Sequence, residues 1–72
     1  MSKKIVVVGN QDAILGFRLA GVTESYTDAS AVEGLLNRRD VGIVIITSSI
    51  ALPEKLKKDV EESIQPVFVT VR

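Results

Sequence analysis

Two unbroken apolar runs divide the chain, at residues 5–8 and 41–47, and both are rich in β-branched side chains. A run without polar alternation is typical of a strand that is covered on both faces, as at the centre of a parallel sheet. Two further runs, at residues 22–26 and 67–71, mix apolar with polar side chains, which is typical of edge strands. The pattern therefore predicts two central strands and two edge strands.

The first helix is predicted directly after the first strand. Asn10 can cap its N-terminus, and Asp12 lies in the first turn, where a carboxylate complements the helix dipole. Gly21 ends the segment as a left-handed stop, with Arg18 near the last carbonyls. Residues 5–21 thus predict a strand, a tight turn and a helix.

Two more helices are predicted between the later strands. Apolar residues recur at helical spacing over residues 31–36, with Asp28 or Ser30 as the candidate cap. A third helix is predicted from Pro53, which suits the first helical position, to about residue 63. Alternating strands and helices predict a single α/β domain with a small four-stranded parallel sheet in the order 2-1-3-4 and helices on both faces. This is a receiver-like, or flavodoxin-like, topology.

Handedness decides how the helices cover this sheet. Because each crossover is right-handed, the first helix is alone on its face while the other two share the opposite face. A helix is about 10 Å wide, whereas four strands span roughly 19 Å. We therefore expect about half of the first helix's face, mainly under the third and fourth strands, to be open within this chain. Such an apolar patch calls for another segment or another protein to cover it.

The first helix carries more apolar side chains than packing on a sheet requires. Three residues at helical spacing predict the stripe that faces the sheet: Ala13, Phe17 and Ala20. Leu15 and Leu19 lie roughly opposite Phe17, so either other parts of this chain cover them or they face a partner. Gly16 costs about 1 kcal/mol relative to Ala in a helix, which indicates a close backbone approach there.

Composition narrows the possible functions. The 72 residues form one small domain, residues 1–72, and contain neither cysteine nor histidine. This excludes disulfides, thiolate chemistry and the usual zinc sites. Nine basic and nine acidic residues cancel, which argues against nucleic-acid binding. No apolar run is long enough for a bilayer or a signal peptide, so we expect a cytoplasmic chain that gains stability from a partner or a larger assembly.

The carboxyl ends of the central strands, where parallel sheets place their sites, offer little chemistry. No glycine fingerprint for a dinucleotide or a phosphate loop is present, and Thr47 stands where a receiver domain carries its aspartate. Ser48 and Ser49 have no histidine to act as a base. We therefore predict no catalytic residue, metal or cofactor. An alternative is a receiver-like signalling or ligand-sensing module that binds a small anion at Asn10 and Ser48. A homodimer that closes the open sheet face is a third possibility.

A longer motif carries a family resemblance. The string Gly-Phe-Arg-Leu-Ala-Gly at residues 16–21 follows the strand at residues 5–9 and is much more specific than a lone glycine pattern. With Tyr26 and residues 40–47 and 65–71, it resembles the F subunit of the archaeal A-type and related V-type ATPases, or ATP synthases. The resemblance covers essentially the whole chain. It implies a receiver-like α/β domain that needs no catalytic residue of its own.

The resemblance also implies a role and a set of partners. The F subunit is part of the central rotor stalk, where it binds the coiled-coil D subunit. The pair turns inside the catalytic A/B hexamer and couples ATP synthesis or hydrolysis to proton or sodium movement through the membrane sector. A member of this family is expected in the cytoplasm, peripheral to the membrane. Family members continue past the fourth strand into a C-terminal helix, so this chain is expected to be the N-terminal domain without that tail.

Two groups of residues in and near the motif follow as candidates. The expected interface with the rest of the stalk comprises Leu15, Gly16, Arg18 and Leu19. The expected structural signature comprises Gly9, Phe17, Ala20 and Gly21.

Overall fold

A computed structural model describes residues 3–48 and 50–71, and its elements alternate strand and helix. Along these residues they are β1 (Lys4–Val8), α1 (Gln11–Leu19), β2 (Glu24–Tyr26), α2 (Ser30–Leu35), β3 (Val41–Thr47), α3 (Glu54–Glu62) and β4 (Val67–Val71). The bounds of β3 and β4 are those predicted, whereas β2 is shorter. Pro53 precedes α3 as its N-cap instead of opening the helix. Ser49 lies outside the described residues.

The four strands form one sheet in the order β2-β1-β3-β4, and every pairing is parallel. One row of paired residues crosses the sheet from Ser25 through Val7 and Ile45 to Val69. The predicted topology and strand order are therefore confirmed. The apolar runs form the centre of the sheet because only those strands must be buried on both sides.

Local signals set the ends of the first two helices. The Asn10 side-chain oxygen accepts a hydrogen bond from the Ala13 N–H at 2.8 Å and so caps α1. Gly21 follows that helix with a φ of 106°, the left-handed conformation that glycine adopts without strain. Ahead of α2, the Asp28 carboxylate accepts from the Ser30 N–H at 3.0 Å. The predictions for Asn10 and Gly21 are confirmed. The predicted cap of α2 was wrong, because Ala29 is the N-cap residue of that helix and no side-chain hydrogen bond is made by it; Asp28 binds the chain one residue further out.

The main core lies between the sheet and the pair α2 and α3. Its buried members are Val6, Val8, Val32, Leu35, Val41, Val44 and Ile46, with Ile50, Leu52, Val60 and Phe68 packed against them. Strand side chains alternate between the two faces, so the neighbours of these core residues point to the α1 side. Helices α2 and α3 thus share one face, as right-handed crossovers require.

Helix α1 covers only part of the sheet face on which it packs. Val7, over which α1 packs, is 0% exposed. Ile5, Ile43, Val67 and Val69 are 43%, 38%, 50% and 41% exposed. These four side chains, here named the open face, lie mainly on β3 and β4. The prediction that one helix leaves about half of this face uncovered is confirmed.

Candidate functional site

Helix α1 carries all four candidate interface residues on its surface. Leu15 is 62% exposed and Leu19 is 84% exposed, and Gly16 and Arg18 are exposed as well. A methyl group added at Gly16 would meet no atom of the described chain within 4 Å. Neighbours in this chain therefore do not cover the two leucines, and nothing in it needs the close approach that Gly16 allows. Of the two alternatives for Leu15 and Leu19, burial within this chain is therefore ruled out, while their role in an interface stays a prediction.

The side of α1 that packs on the sheet differs from the predicted stripe. Ile14, which the prediction left out, is the buried residue of α1, and Phe17 is half-buried. Ala20 is exposed because the helix ends at Leu19, and the Ala20 N–H closes a short turn onto the Phe17 carbonyl at 3.0 Å. The prediction for Ala20 was wrong for that reason. The spacing of Ile14 and Phe17, three residues apart, is the signal that could have found the correct face.

The crevice between the carboxyl ends of β1 and β3 is filled by a threonine. A Cβ atom placed on Gly9 would lie 2.6 Å from Thr47 Oγ1 and 2.7 Å from its Cγ2, far inside contact distance. Gly9 is therefore required because the Thr47 side chain packs directly on its backbone, a pairing that the sequence did not reveal. Thr47 is itself 8% exposed. The position at which a receiver domain would hold its aspartate is thus closed by contact.

The proposed anion site at Asn10 and Ser48 gains no support from this geometry. The Asn10 side chain is engaged with the Ala13 N–H, which removes one of the donors that a bound anion would use. Ser48 is exposed and lies at the rim of a groove of about 380 Å³ beside α3. The groove is mainly apolar, and its charged members are Lys57 and Glu61. Its polar lining residues are Thr47, Ser48, Lys57, Glu61 and Thr70, and the negative charge of Glu61 beside Lys57 disfavours an anion.

A charged cluster lies at the opposite edge of the sheet, where β1 and β2 begin. The Arg38 guanidinium donates to both oxygens of Glu24 and, at 2.9 and 2.6 Å, to both oxygens of Asp40. Lys4 Nζ lies 3.8 Å from each carboxylate, and the Tyr26 hydroxyl donates to Glu24 at 2.6 Å. Sequence reasoning missed this cluster because Glu24 and Arg38 meet only after the chain has folded.

Hydrogen bonds set the ionisation of the cluster. The Arg38 guanidinium lowers the pKa of Asp40 to about 2, and together with the Tyr26 hydroxyl it lowers the pKa of Glu24. The same carboxylates raise the pKa of Arg38, and Glu24 raises that of Tyr26. These four groups are thereby held in the charge states they have at neutral pH. A cluster that resists proton transfer in this way is structural, since general acid–base catalysis needs a group poised near the working pH.

Across residues 3–48 and 50–71, no group of three or more acidic side chains is placed to hold a metal ion. Within the same part of the chain no helix has both the length and the apolar character to cross a membrane.

The fold and its surface define the class of protein. The chain is a parallel α/β domain of receiver topology in which the switch-point crevice is closed and in which exposed apolar side chains lie on α1 and on the open face. Residues 5–72 match the family model described as the ATP synthase (F/14-kDa) subunit. The chain belongs to this family and is an ATP synthase subunit.

Similar proteins carry the same description. The chain is 42% identical to the F subunit of the A-type ATP synthase of Archaeoglobus fulgidus over 96% of its own length and 76% of that protein. It is 37% identical to the protein of the same name from Methanospirillum hungatei, over 94% of this chain and 76% of the relative. The corresponding F subunit from Pyrococcus furiosus is 45% identical over 67% of this chain and 56% of the relative. The resemblance stated from the sequence motif is therefore confirmed.

Proposed function

We propose that this chain is a non-catalytic component of the central rotor stalk of an A-type ATP synthase. In this role it binds the coiled-coil D subunit and, through it, works with the A/B hexamer and the membrane sector. The stalk couples ATP synthesis or hydrolysis to proton or sodium movement. The proposal places the chain in the cytoplasm, at the periphery of the membrane.

The observation that carries the proposal is the pair of exposed leucines on α1 in a chain of this family. Leu15 and Leu19 are 62% and 84% exposed, and they are four residues apart on one side of the helix. A coiled-coil partner presents an apolar stripe of its own, and two such helices pack side by side. Arg18 lies beside this pair, exposed, and would meet a carboxylate at the rim of the contact.

Both the sequence and the described site support a non-catalytic role. The chain has no cysteine or histidine, and its buried switch-point threonine packs on Gly9. The charged cluster around Arg38 is locked by hydrogen bonds into one protonation state. These features support a component that transmits force and binds, while chemistry takes place elsewhere in the complex.

The test is a binding measurement with the D subunit from the same organism. Purified chain and D subunit are expected to elute together in size-exclusion chromatography as a one-to-one complex. Leu19→Asp is expected to weaken this binding by about tenfold or more in calorimetry, because it places a charge in an apolar contact. Separate elution of the two wild-type proteins at high concentration would count against the proposal.

A matched variant controls for the general effect of adding a charge. Ile64 is 89% exposed and lies between α3 and β4, away from α1. Ile64→Asp is expected to bind the D subunit as the wild type does. Equal losses in Leu19→Asp and Ile64→Asp would show that α1 is not the contact, even if the complex itself forms.

A further inference from the structure

A groove runs along the flank of α1 that is turned toward β2. Its volume is about 650 Å³, and its walls include Leu15 of the helix and Ser25 of the strand. The side of α1 that packs on the sheet lies midway between Ile14 and Phe17. At 100° per residue, Leu15 lies about 130° from that direction. The exposed Leu15 side chain therefore borders the groove and is accessible to a partner.

The two ends of the groove carry opposite charges. At the carboxyl edge of the sheet, it is lined by Asp12 in the first turn of α1 and by Asp28 in the segment after β2. At the other end lies Arg18, in the last turn of the helix and about 9 Å further along its axis than Asp12. All three side chains are exposed, and no ion pair joins them to one another within residues 3–48 and 50–71. The order along the groove is therefore acidic, apolar at Leu15, and basic.

We propose that this groove receives one helix of the coiled-coil D subunit, in a direction that the charges set. A basic residue of that helix meets Asp12 and Asp28, and an acidic residue meets Arg18. Between them, an apolar residue packs on Leu15 and Leu19. The inference rests on the proposed function, and it adds the place, the chemistry and the direction of the contact.

The spacing of these charges fits a helix as the occupant. Residues seven apart on a helix are about 10.5 Å apart on nearly the same side, which is close to the separation of Asp12 and Arg18. A coiled-coil helix repeats its charged positions every seven residues beside apolar ones, so it can present a basic, an apolar and an acidic residue in a row. A small molecule is a poorer match, because the charged groups lie at opposite ends of the groove and do not converge on one point.

The order of the charges fixes the direction of the helix. In the reverse direction, its basic residue would meet Arg18 and its acidic residue would meet Asp12, so like charges would oppose each other at both ends. Asp28 is already oriented, because its carboxylate accepts a hydrogen bond from the Ser30 N–H at 3.0 Å. The helix packs on side chains and adds no strand, so β2 remains an edge of the sheet.

Calorimetry with the D subunit tests the charge pattern. Asp12→Asn and Arg18→Gln each remove one charge with little change of shape, and each should raise the dissociation constant by about three- to fivefold at low salt. Both losses should disappear near 1 M salt, because the screening length there is about 3 Å. If the complex forms and both variants bind as the wild type does at low salt, the inference is overturned and the proposed function stands. Separate elution of the wild-type proteins overturns both.

Two exposed charges on the opposite face of the sheet are the matched controls. Glu33 is in the first turn of α2, as Asp12 is in α1, and Lys58 is on α3. Glu33→Gln and Lys58→Gln should bind the D subunit as the wild type does. Losses equal to those of Asp12→Asn and Arg18→Gln would show a general effect of net charge and overturn the inference. A dimer of the chain alone that is weakened by Asp12→Asn would assign the groove to a second copy and would overturn it too.

Photo-cross-linking tests the direction, because the sequence contains no cysteine and one can be introduced at each end. Gln11 is at the acidic end of the groove, Ala20 follows α1 at the basic end, and both are exposed. Gln11→Cys and Ala20→Cys are labelled with a benzophenone maleimide and irradiated with the D subunit, and the cross-linked peptides are mapped by mass spectrometry. We expect the first label to reach a D-subunit segment with Lys or Arg, and the second a segment about two turns away with Asp or Glu. The reverse assignment, or cross-links outside the coiled coil, would overturn the inference.

Discussion

Val7 and Val69 are the same residue type in the same row of the sheet, on the same face, yet they have opposite surroundings. Val7 is 0% exposed under α1, and Val69 is 41% exposed on the edge strand β4. The difference arises because a single right-handed crossover can supply only one helix to this face. Exposure in this domain is therefore set by topology, and β4 carries apolar side chains that the described residues leave half-exposed.

The two edge strands of the sheet differ in length and in charge. β2 has three residues, and its Glu24 and Tyr26 side chains are tied into the charged cluster with Arg38. β4 has five residues, all of them uncharged. Short length and fixed charge are the usual protections of an edge strand, and β4 has neither. The β2 half of the sheet is thus finished within the chain, whereas the β4 half is suited to a contact.

The largest expected effect contrasts the two valines directly. Val7→Ala should lower the free energy of unfolding by about 2–3 kcal/mol, because it removes buried methyl groups and leaves a cavity under α1. Val69→Ala should change it by less than about 0.5 kcal/mol in dilute solution, since its side chain is half in water. Urea unfolding at low protein concentration measures both. Similar losses at the two positions would mean that the open face is covered in the monomer.

The next largest effect is expected for a glycine-to-alanine change in α1. Gly16→Ala should stabilise the dilute monomer by about 0.5–1 kcal/mol, because alanine favours the helix and its methyl group meets no neighbour. It should also weaken binding of the D subunit, because Gly16 is a candidate residue of that interface. Thermal unfolding measures the first change and calorimetry the second.

Gly34 offers a matched control for this variant. It lies in α2, and a methyl group there also meets nothing within 4 Å. Gly34→Ala should raise the melting temperature in the same way and leave D-subunit binding unchanged. If both variants bound the D subunit as the wild type does, Gly16 would have no role in close approach.

The smallest expected effect concerns the finished edge. Asp40 and Glu24 have lowered pKa values in the folded state, that of Asp40 at about 2, against about 4 when unfolded. The contribution of Asp40 to stability is therefore present above pH 4 and is lost as the pH falls from about 4 to about 2, and Glu24 changes stability in the same direction. Arg38→Gln should make acid unfolding less steep in this window. Arg39→Gln, at an exposed neighbouring position, should leave it as in the wild type, and equal slopes for both variants would contradict the role of Arg38.

Sequence reasoning predicted the features that depend on local pattern or on general rules of topology. The strand order, the Asn10 cap, the Gly21 stop and the half-open face all followed from apolar runs, capping residues and crossover handedness. The features it missed depend on pairs that are distant in sequence. Thr47 reaches Gly9, and Arg38 reaches Glu24, only because the register of the sheet brings them together.

The misassigned side of α1 has a different cause. A helix of nine residues has two and a half turns, so an error of one position in its end rotates the inferred apolar side. The stripe was drawn through Ala20, which lies beyond the helix, and Ile14 was passed over. The exposure of Leu15 and Leu19 was nonetheless foreseen as one of two alternatives, because they lie opposite Phe17 on any such assignment.

The uncharged edge strand β4 has a consequence for synthesis in the cell. A copy that has been released from the ribosome without an available binder presents five residues of β-forming backbone beside four half-exposed Ile and Val side chains. Such a surface attracts chaperones, proteases and other nascent chains. We therefore expect the expression level of this chain to match that of its binding partner, and we expect excess copies to be degraded.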